Sequence, residues 1–251
     1  MLEVRGISKR FGGNVALDRC SFMVEEHASV GLIGPNGAGK TTAADLISGI
    51  LPVDDGQIIF KGRPIQNRPL WRVARQGVTR TFQVSRELKA LTVMENMLVG
   101  SQLQSVEGVW PTLFAVSRIR AAERTAVRRA FELLELFQLD RVANELAGNL
   151  SVGQKRVLEL ARALMAEPGL LILDEPLAGL SPTTSRNIAD FVESMRARGV
   201  TLLIIEHNLT MIERLCERVI VLAQGRVLAE GTMREIRGLP EVIDAYLGPV
   251  A

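Results

Sequence analysis

The sequence predicts an α/β protein with a mainly parallel sheet, and three observations carry that reading. A strand-length apolar run at 29–33 leads through a glycine-rich turn into a helix-length segment at 41–50. Further on, strand-length apolar runs at 170–173, 200–205 and 219–222 are separated by helix-length segments, the spacing of parallel strands joined by crossover helices. Finally, 251 residues of which 47% are apolar and 23% charged suffice for a substantial core, which excludes disorder.

Taken in order, 2–7 and 21–24 read as strands from their short apolar runs, as does 29–33. The segment 41–50 has helical spacing in Ala44, Ile47 and Ile50, with Gly49 and Pro52 closing it. Residues 57–60 and 78–82 read as further strands and 93–99 as a short helix. From 110 to 139 arginines and glutamates alternate with Leu113, Ile119, Val127, Leu133, Leu134 and Phe137 at helical intervals. An all-helical subdomain is therefore expected at 86–164, inserted between segments 1–85 and 165–251 of a sheet-based core.

Composition excludes several function classes. The net charge, 30 minus 28 or +2, is too small for the one-sided basic footprint of a dedicated nucleic-acid binder. The longest unbroken apolar run is five residues, 219–223, whereas a membrane-spanning helix needs about 20 predominantly apolar positions. Glu3, Arg5, Lys9 and Arg10 interrupt the first thirty residues, so no secretory signal is read there and a cytosolic location is expected. Cys20 and Cys216 lack Cys-x-x-Cys spacing and read as reduced packing residues.

Gly34-Pro35-Asn36-Gly37-Ala38-Gly39-Lys40-Thr41 fits the phosphate-loop template, two glycines followed by lysine and threonine between a strand and a helix. Glycine lets the backbone curl around phosphates with its N–H groups inward, and the helix that follows adds its positive dipole end. Lys40 then contacts the β and γ phosphates, Thr41 offers its hydroxyl to Mg²⁺ and Thr42 binds an α-phosphate oxygen. Leu170-Leu171-Ile172-Leu173-Asp174-Glu175 is an apolar strand ending in two carboxylates at a sheet's carboxyl edge, where ligands bind. Asp174 is expected to anchor Mg²⁺ through water and Glu175 to polarise the attacking water as general base; the bland alternative is a helix cap.

A phosphate loop alone leaves kinases, GTPases and several ATPase classes open, although no guanine-reading Asn-Lys-x-Asp occurs. Leu150-Ser151-Val152-Gly153-Gln154, at the start of a helix running to about 165, resembles the signature of the ABC ATPase family. That resemblance covers nearly the whole chain. It implies a P-loop NTPase core sheet with crossover helices, a small antiparallel β subdomain and the inserted helices, all within one domain spanning 1–251. It further implies that Phe11 stacks on adenine, that Gln83 links metal and water to the helical subdomain, and that His207 senses the γ-phosphate. Singly these have plain readings as a core Phe, a surface glutamine and a satisfied histidine; their joint order carries the resemblance.

Ser151 and Gly153 open a second anion-binding helix terminus in a chain that already has one phosphate cradle, which invites a second copy. In the family two subunits meet head to tail, so the resemblance implies that Ser151, Gly153 and Gln154 of one close over the γ-phosphate held by Lys40 of the other. An ordinary serine N-cap can hold at the same time. Two departures stand out. Val152 occupies a position commonly glycine, and Ser181, before Pro182, replaces a common aspartate and reads as an N-cap with proline at the first helical position.

Within the family the resemblance is strongest to ATP-binding subunits of branched-chain, or hydrophobic, amino acid uptake systems. It rests on Arg80-Thr81-Phe82-Gln83, Leu91-Thr92-Val93-Met94-Glu95-Asn96, a lengthened stretch at 102–125, Glu206-His207-Asn208, and Glu241-Val242-Ile243-Asp244-Ala245-Tyr246-Leu247-Gly248. It implies integral membrane permease subunits, docking at 84–91 and the helical subdomain, and an external substrate-binding protein. The second ATPase chain is identical or related, and the location is cytoplasmic, peripheral on the inner face of the plasma membrane. Cassettes for urea uptake or lipopolysaccharide export share many of these features, and a soluble ABC ATPase in a cytosolic complex is the alternative from another class.

Overall fold

The computed structural model describes residues 1–81, 88–101 and 116–247. β1 (Leu2–Phe11) and β2 (Asn14–Val24) form an antiparallel hairpin turned by Gly12 and Gly13. Both outrun the expected 2–7 and 21–24, because their outer halves alternate buried with exposed positions and carry no continuous apolar signal. β3 (Ser29–Ile33) is buried at every position. α1 (Lys40–Ser48) stops where Gly49 takes φ 76° at its C-cap, so Ile50 lies beyond the helix that its spacing suggested.

β4 (Asp55–Phe60), β5 (Arg63–Pro64), the short helix α2 (Leu70–Arg75) and β6 (Val78–Arg80) follow. The strand expected to reach 82 ends at Arg80, and Phe82 lies outside the described residues. After α3 (Val93–Val99), α4 (Val116–Leu136) and α5 (Val152–Leu164) come β7 (Leu170–Asp174), α6 (Pro182–Ala197), β8 (Thr201–Ile205) and α7 (Leu209–Leu215). β9 (Arg218–Ala223), β10 (Arg226–Gly231), α8 (Met233–Ile236) and α9 (Pro240–Leu247) complete the order.

Two sheets result. One is antiparallel, in order β2-β1-β4-β5; the other runs β10-β9-β3-β8-β7-β6 and is parallel except for the β9–β10 hairpin. β3, β7 and β8 are buried along their whole length, which is why they read as unbroken apolar runs rather than alternating ones. Leu32, Leu170, Ile172, Leu203, Ile205 and Ile220 share one core with Ala44 and Ile47 of α1 and with Leu2, Ile7, Ile58 and Phe60 of the antiparallel sheet. On β3, Gly31 lies against Ile212 of α7 and Cys216, close enough that a Cβ would meet Ile212 at 3.0 Å.

The chain separates into two compact units, Met1–Gln83 with Gly169–Gly179 and Ser185–Ala251, and Val84–Pro168 with Leu180–Thr184. The first contains both sheets. In the second, α3 packs against α4 and α5, burying Val93, Met97, Ala130, Leu134 and Leu158. Asn96 is fully buried there and satisfied: its amide donates to the Leu88 and Thr92 carbonyls, while its oxygen accepts from the Leu88 N–H.

Candidate active site

The order β3-β8-β7-β6 brings the carboxyl ends of four neighbouring parallel strands to one edge. From β3 issues the loop 34–39. Gly34 has φ 150°, and a Cβ there would lie 2.1 Å from the Leu222 carbonyl oxygen; Gly39, at φ 100°, would place one 2.6 Å from that of Ala16. Only glycine lets the chain pass so close to its neighbours. The loop delivers Lys40 to the first turn of α1, 6% exposed, with its ammonium donating to the Gly34 and Pro35 carbonyls at 2.8 and 3.0 Å. Burial lowers the Lys40 pKa, opposed by the negative charges of Glu175 and Asp174.

Asp174 ends β7 and is 2% exposed. Glu175 follows with φ 47°, a left-handed conformation unusual for a side chain of this size. His207, two residues beyond β8, places Nε2 at 2.6 Å from Glu175 Oε1, the imidazole N–H donating to the carboxylate. Glu206, the residue before His207, is buried and accepts the Leu177 N–H at 2.9 Å and the His207 N–H at 3.2 Å. Burial raises the pKa of Glu206, partly offset by those N–H bonds.

Phe11, residues 36–39 of the loop, Lys40, Thr41 and Thr42 of the first turn of α1, Glu175 and His207 line one cavity of ≈ 350 Å³. Phe11 is 47% exposed, and the Lys9 ammonium stands 5.8 Å from its ring centroid. Asn14, Val15 and Ala16 of β2 also line the cavity and went unread in the sequence. Their signal was the Gly12-Gly13 pair, a two-residue hairpin turn that sets the start of β2 beside Phe11. Arg80 also carries no assigned role, and its guanidinium pairs with Asp174 and Asp45.

Ser151, Gly153 and Gln154 belong to the second unit. Ser151 is the N-cap of α5: its hydroxyl accepts the Gln154 N–H at 3.3 Å, and the Gln154 side-chain oxygen accepts the Ser151 N–H at 3.0 Å. Val152 is largely exposed, and a Cβ on Gly153 would meet the Thr184 methyl at 2.7 Å. Ser181 caps α6 through the Thr184 N–H at 3.3 Å, with Pro182 as the first helical residue. Gln83 lies outside the described residues, as does 84–87 of the expected docking segment.

Among the described residues no group of three or more His, Cys, Asp or Glu could hold a metal by itself. One threonine hydroxyl and one carboxylate, Thr41 and Asp174, beside a phosphate-binding loop suit Mg²⁺, which keeps few protein ligands and completes its shell with water and phosphate oxygens.

The sequence profile of the ABC transporter family matches residues 17–178. The high-affinity branched-chain amino acid transport ATP-binding protein BraF of Pseudomonas aeruginosa is 41% identical over 249 residues, 99% of this chain and 98% of that protein. LivG of Escherichia coli K12, of the same description, is 38% identical with the same coverage. The probable branched-chain amino acid transport ATP-binding protein LivG of Archaeoglobus fulgidus is 37% identical over 99% of this chain and 95% of its own length. Among solved structures, a nucleotide-free ATP-binding cassette from an ABC transporter superposes with a TM-score of 0.84 at 34% identity, and the ADP conformation of another at 0.85 and 35%; each match covers 99% of both chains.

Proposed function

This chain belongs to the ABC transporter family, and we propose that it is the ATP-binding subunit of an importer of branched-chain amino acids, hydrolysing ATP to drive transport through separate membrane subunits. The observation that carries the hydrolytic reading is the hydrogen-bonded Glu175–His207 pair lining the same cavity as the phosphate loop.

In this reading the adenine stacks on Phe11 and the phosphates lie along the N–H groups of 36–42. Lys40 exchanges its two carbonyl partners for β- and γ-phosphate oxygens, a short move because its ammonium already lies within the loop. Thr41, Asp174 and Gln83 hold Mg²⁺, which when bound neutralises charge on the phosphates. Glu175 accepts a proton from the attacking water as the γ-phosphoryl group leaves ADP, and His207 holds the Glu175 carboxylate in place while facing the same phosphate. Ser151, Gly153 and Gln154 close the site from a second, identical or related cassette, placed head to tail.

The partners are integral membrane permease subunits and an external substrate-binding protein, with no nucleic acid. The chain sits in the cytoplasm, peripheral on the inner face of the plasma membrane; no described helix is long and apolar enough to cross a membrane. The test is affinity purification of tagged Glu175→Gln from detergent-solubilised source cells with ATP present, followed by mass spectrometry. Stoichiometric multi-spanning proteins, with a second cassette or a periplasmic binding protein, support the importer. Soluble partners alone would move the reading to a cytosolic ATPase.

A further inference from the structure

Arg80 ends β6, the edge strand beside β7, and the reading above gives it no chemical task. Its side chain is 5% exposed, and its two terminal nitrogens reach different elements: Nη1 to Asp45 of α1 at 2.5 Å and Nη2 to Asp174 Oδ2 of β7 at 2.6 Å. Asp174 is itself 2% exposed and Asp45 22% exposed, so the cluster stands largely out of water.

We propose that Arg80 is a positioning residue for the metal carboxylate, a clamp that fixes Asp174 against the helix carrying Lys40 and Thr41. The inference rests on the assignment of Asp174 to Mg²⁺. A rigid fork pairs with one carboxylate oxygen through each arm. With Oδ2 engaged by Arg80, Oδ1 is the oxygen that would be left for a metal or its water. Asp45, one turn beyond Thr41 on α1, sets the guanidinium from the other side. The two Mg²⁺ donors, one on α1 and one on β7, are thereby tied through a single side chain. Such outer-shell partners typically govern metal affinity by about 10- to 100-fold.

The experiment measures affinity for a fluorescent ATP analogue in EDTA and across a MgCl₂ titration, for wild type, Arg80→Leu, Arg80→Lys, Asp45→Ala and Asp174→Asn. The expected result is that Arg80→Leu binds nucleotide normally in EDTA while needing about 10- to 100-fold more Mg²⁺ for the metal-dependent gain. Arg80→Lys, a point charge without the fork, recovers part of that loss, and Asp45→Ala shows a smaller shift in the same direction. If Arg80→Leu folds poorly, the latter two carry the test, since both retain a cation beside Asp174. Unchanged or tighter Mg²⁺ response in the Arg80 and Asp45 variants, with Asp174→Asn impaired, overturns the clamp alone. A response untouched even in Asp174→Asn overturns the metal assignment and the clamp with it.

Discussion

Nε2 of His207 and Oε1 of Glu175 lie 2.6 Å apart although 32 positions separate them in the chain. β7 and β8 are parallel neighbours with Asp174 opposite Ile205, and the Glu175 N–H continues the ladder by donating to the Ile205 carbonyl at 2.9 Å. The residues just past each strand therefore meet. If Glu175 is the base, Glu175→Gln should lower kcat by about 10²- to 10⁴-fold with nucleotide affinity retained. His207→Ala should act largely through Glu175, so the double variant should be little slower than Glu175→Gln. Steady-state ATPase assays with separately measured nucleotide binding decide this; full activity in Glu175→Gln would remove it as base.

The loop glycines make a graded prediction. Gly34→Ala meets a backbone carbonyl at 2.1 Å and Gly39→Ala one at 2.6 Å, whereas a Cβ on Gly37 has nothing within 4 Å. Gly37→Ala should thus cost only the strain of its positive φ, on the order of 1–3 kcal/mol, and Gly34→Ala clearly more. Urea unfolding of the three variants gives the order; equal losses would show that backbone strain, not the close approach, dominates.

Ser151 allows its structural and functional roles to be separated. Ser151→Ala removes one half of the capping box on α5 and should cost about 1 kcal/mol of stability. Ser151→Arg should abolish hydrolysis while nucleotide binding at Lys40 persists, if, as proposed, the serine acts on the nucleotide of an opposite cassette. Wild-type turnover in Ser151→Arg would refute that placement.

The buried thiols set an alkaline limit. Burial pushes Cys20 and Cys216 from the ordinary value of 9.0 up to about 12. A folded chain that keeps these protons while the unfolded chain releases them loses stability as pH rises from about 9 toward 12, and none below it. The loss approaches roughly 1.4 kcal/mol per pH unit for each thiol. Urea midpoints from pH 8 to 10.5 should fall more steeply for wild type than for the Cys20→Ala/Cys216→Ala double variant; parallel slopes would contradict the shifts.

What could be read from sequence follows from which surfaces are buried. β3, β7 and β8 are covered on both faces, so apolarity alone marks them, and α3 was read as a short helix at 93–99, to which the structure adds a Thr92–Glu95 capping box. β10 was not legible: exposed Arg226, Leu228 and Glu230 take turns with only half-buried Val227 and Ala229 along an edge strand, and its pairing with β9 depends on the Gln224-Gly225 turn. β5, two residues long, carries no pattern at all. Within the candidate site, the loop was legible because Gly34 and Gly39 stand where a side chain would collide with neighbouring carbonyls, whereas Asp174 and Glu175 were read only from their place at the end of an apolar strand. The partners of Arg80 lie 35 and 94 positions away, a relation that strand order creates and local sequence does not encode.

Glu175 occupies a backbone conformation that favours glycine, at the one position proposed to take a proton from water. A non-glycine residue there costs on the order of 1–2 kcal/mol, which the surrounding strands must sustain. Selection for a sturdier fold and selection for turnover therefore oppose each other at this residue. A screen for thermal tolerance alone, run without any demand for hydrolysis, would be expected to discard the carboxylate first.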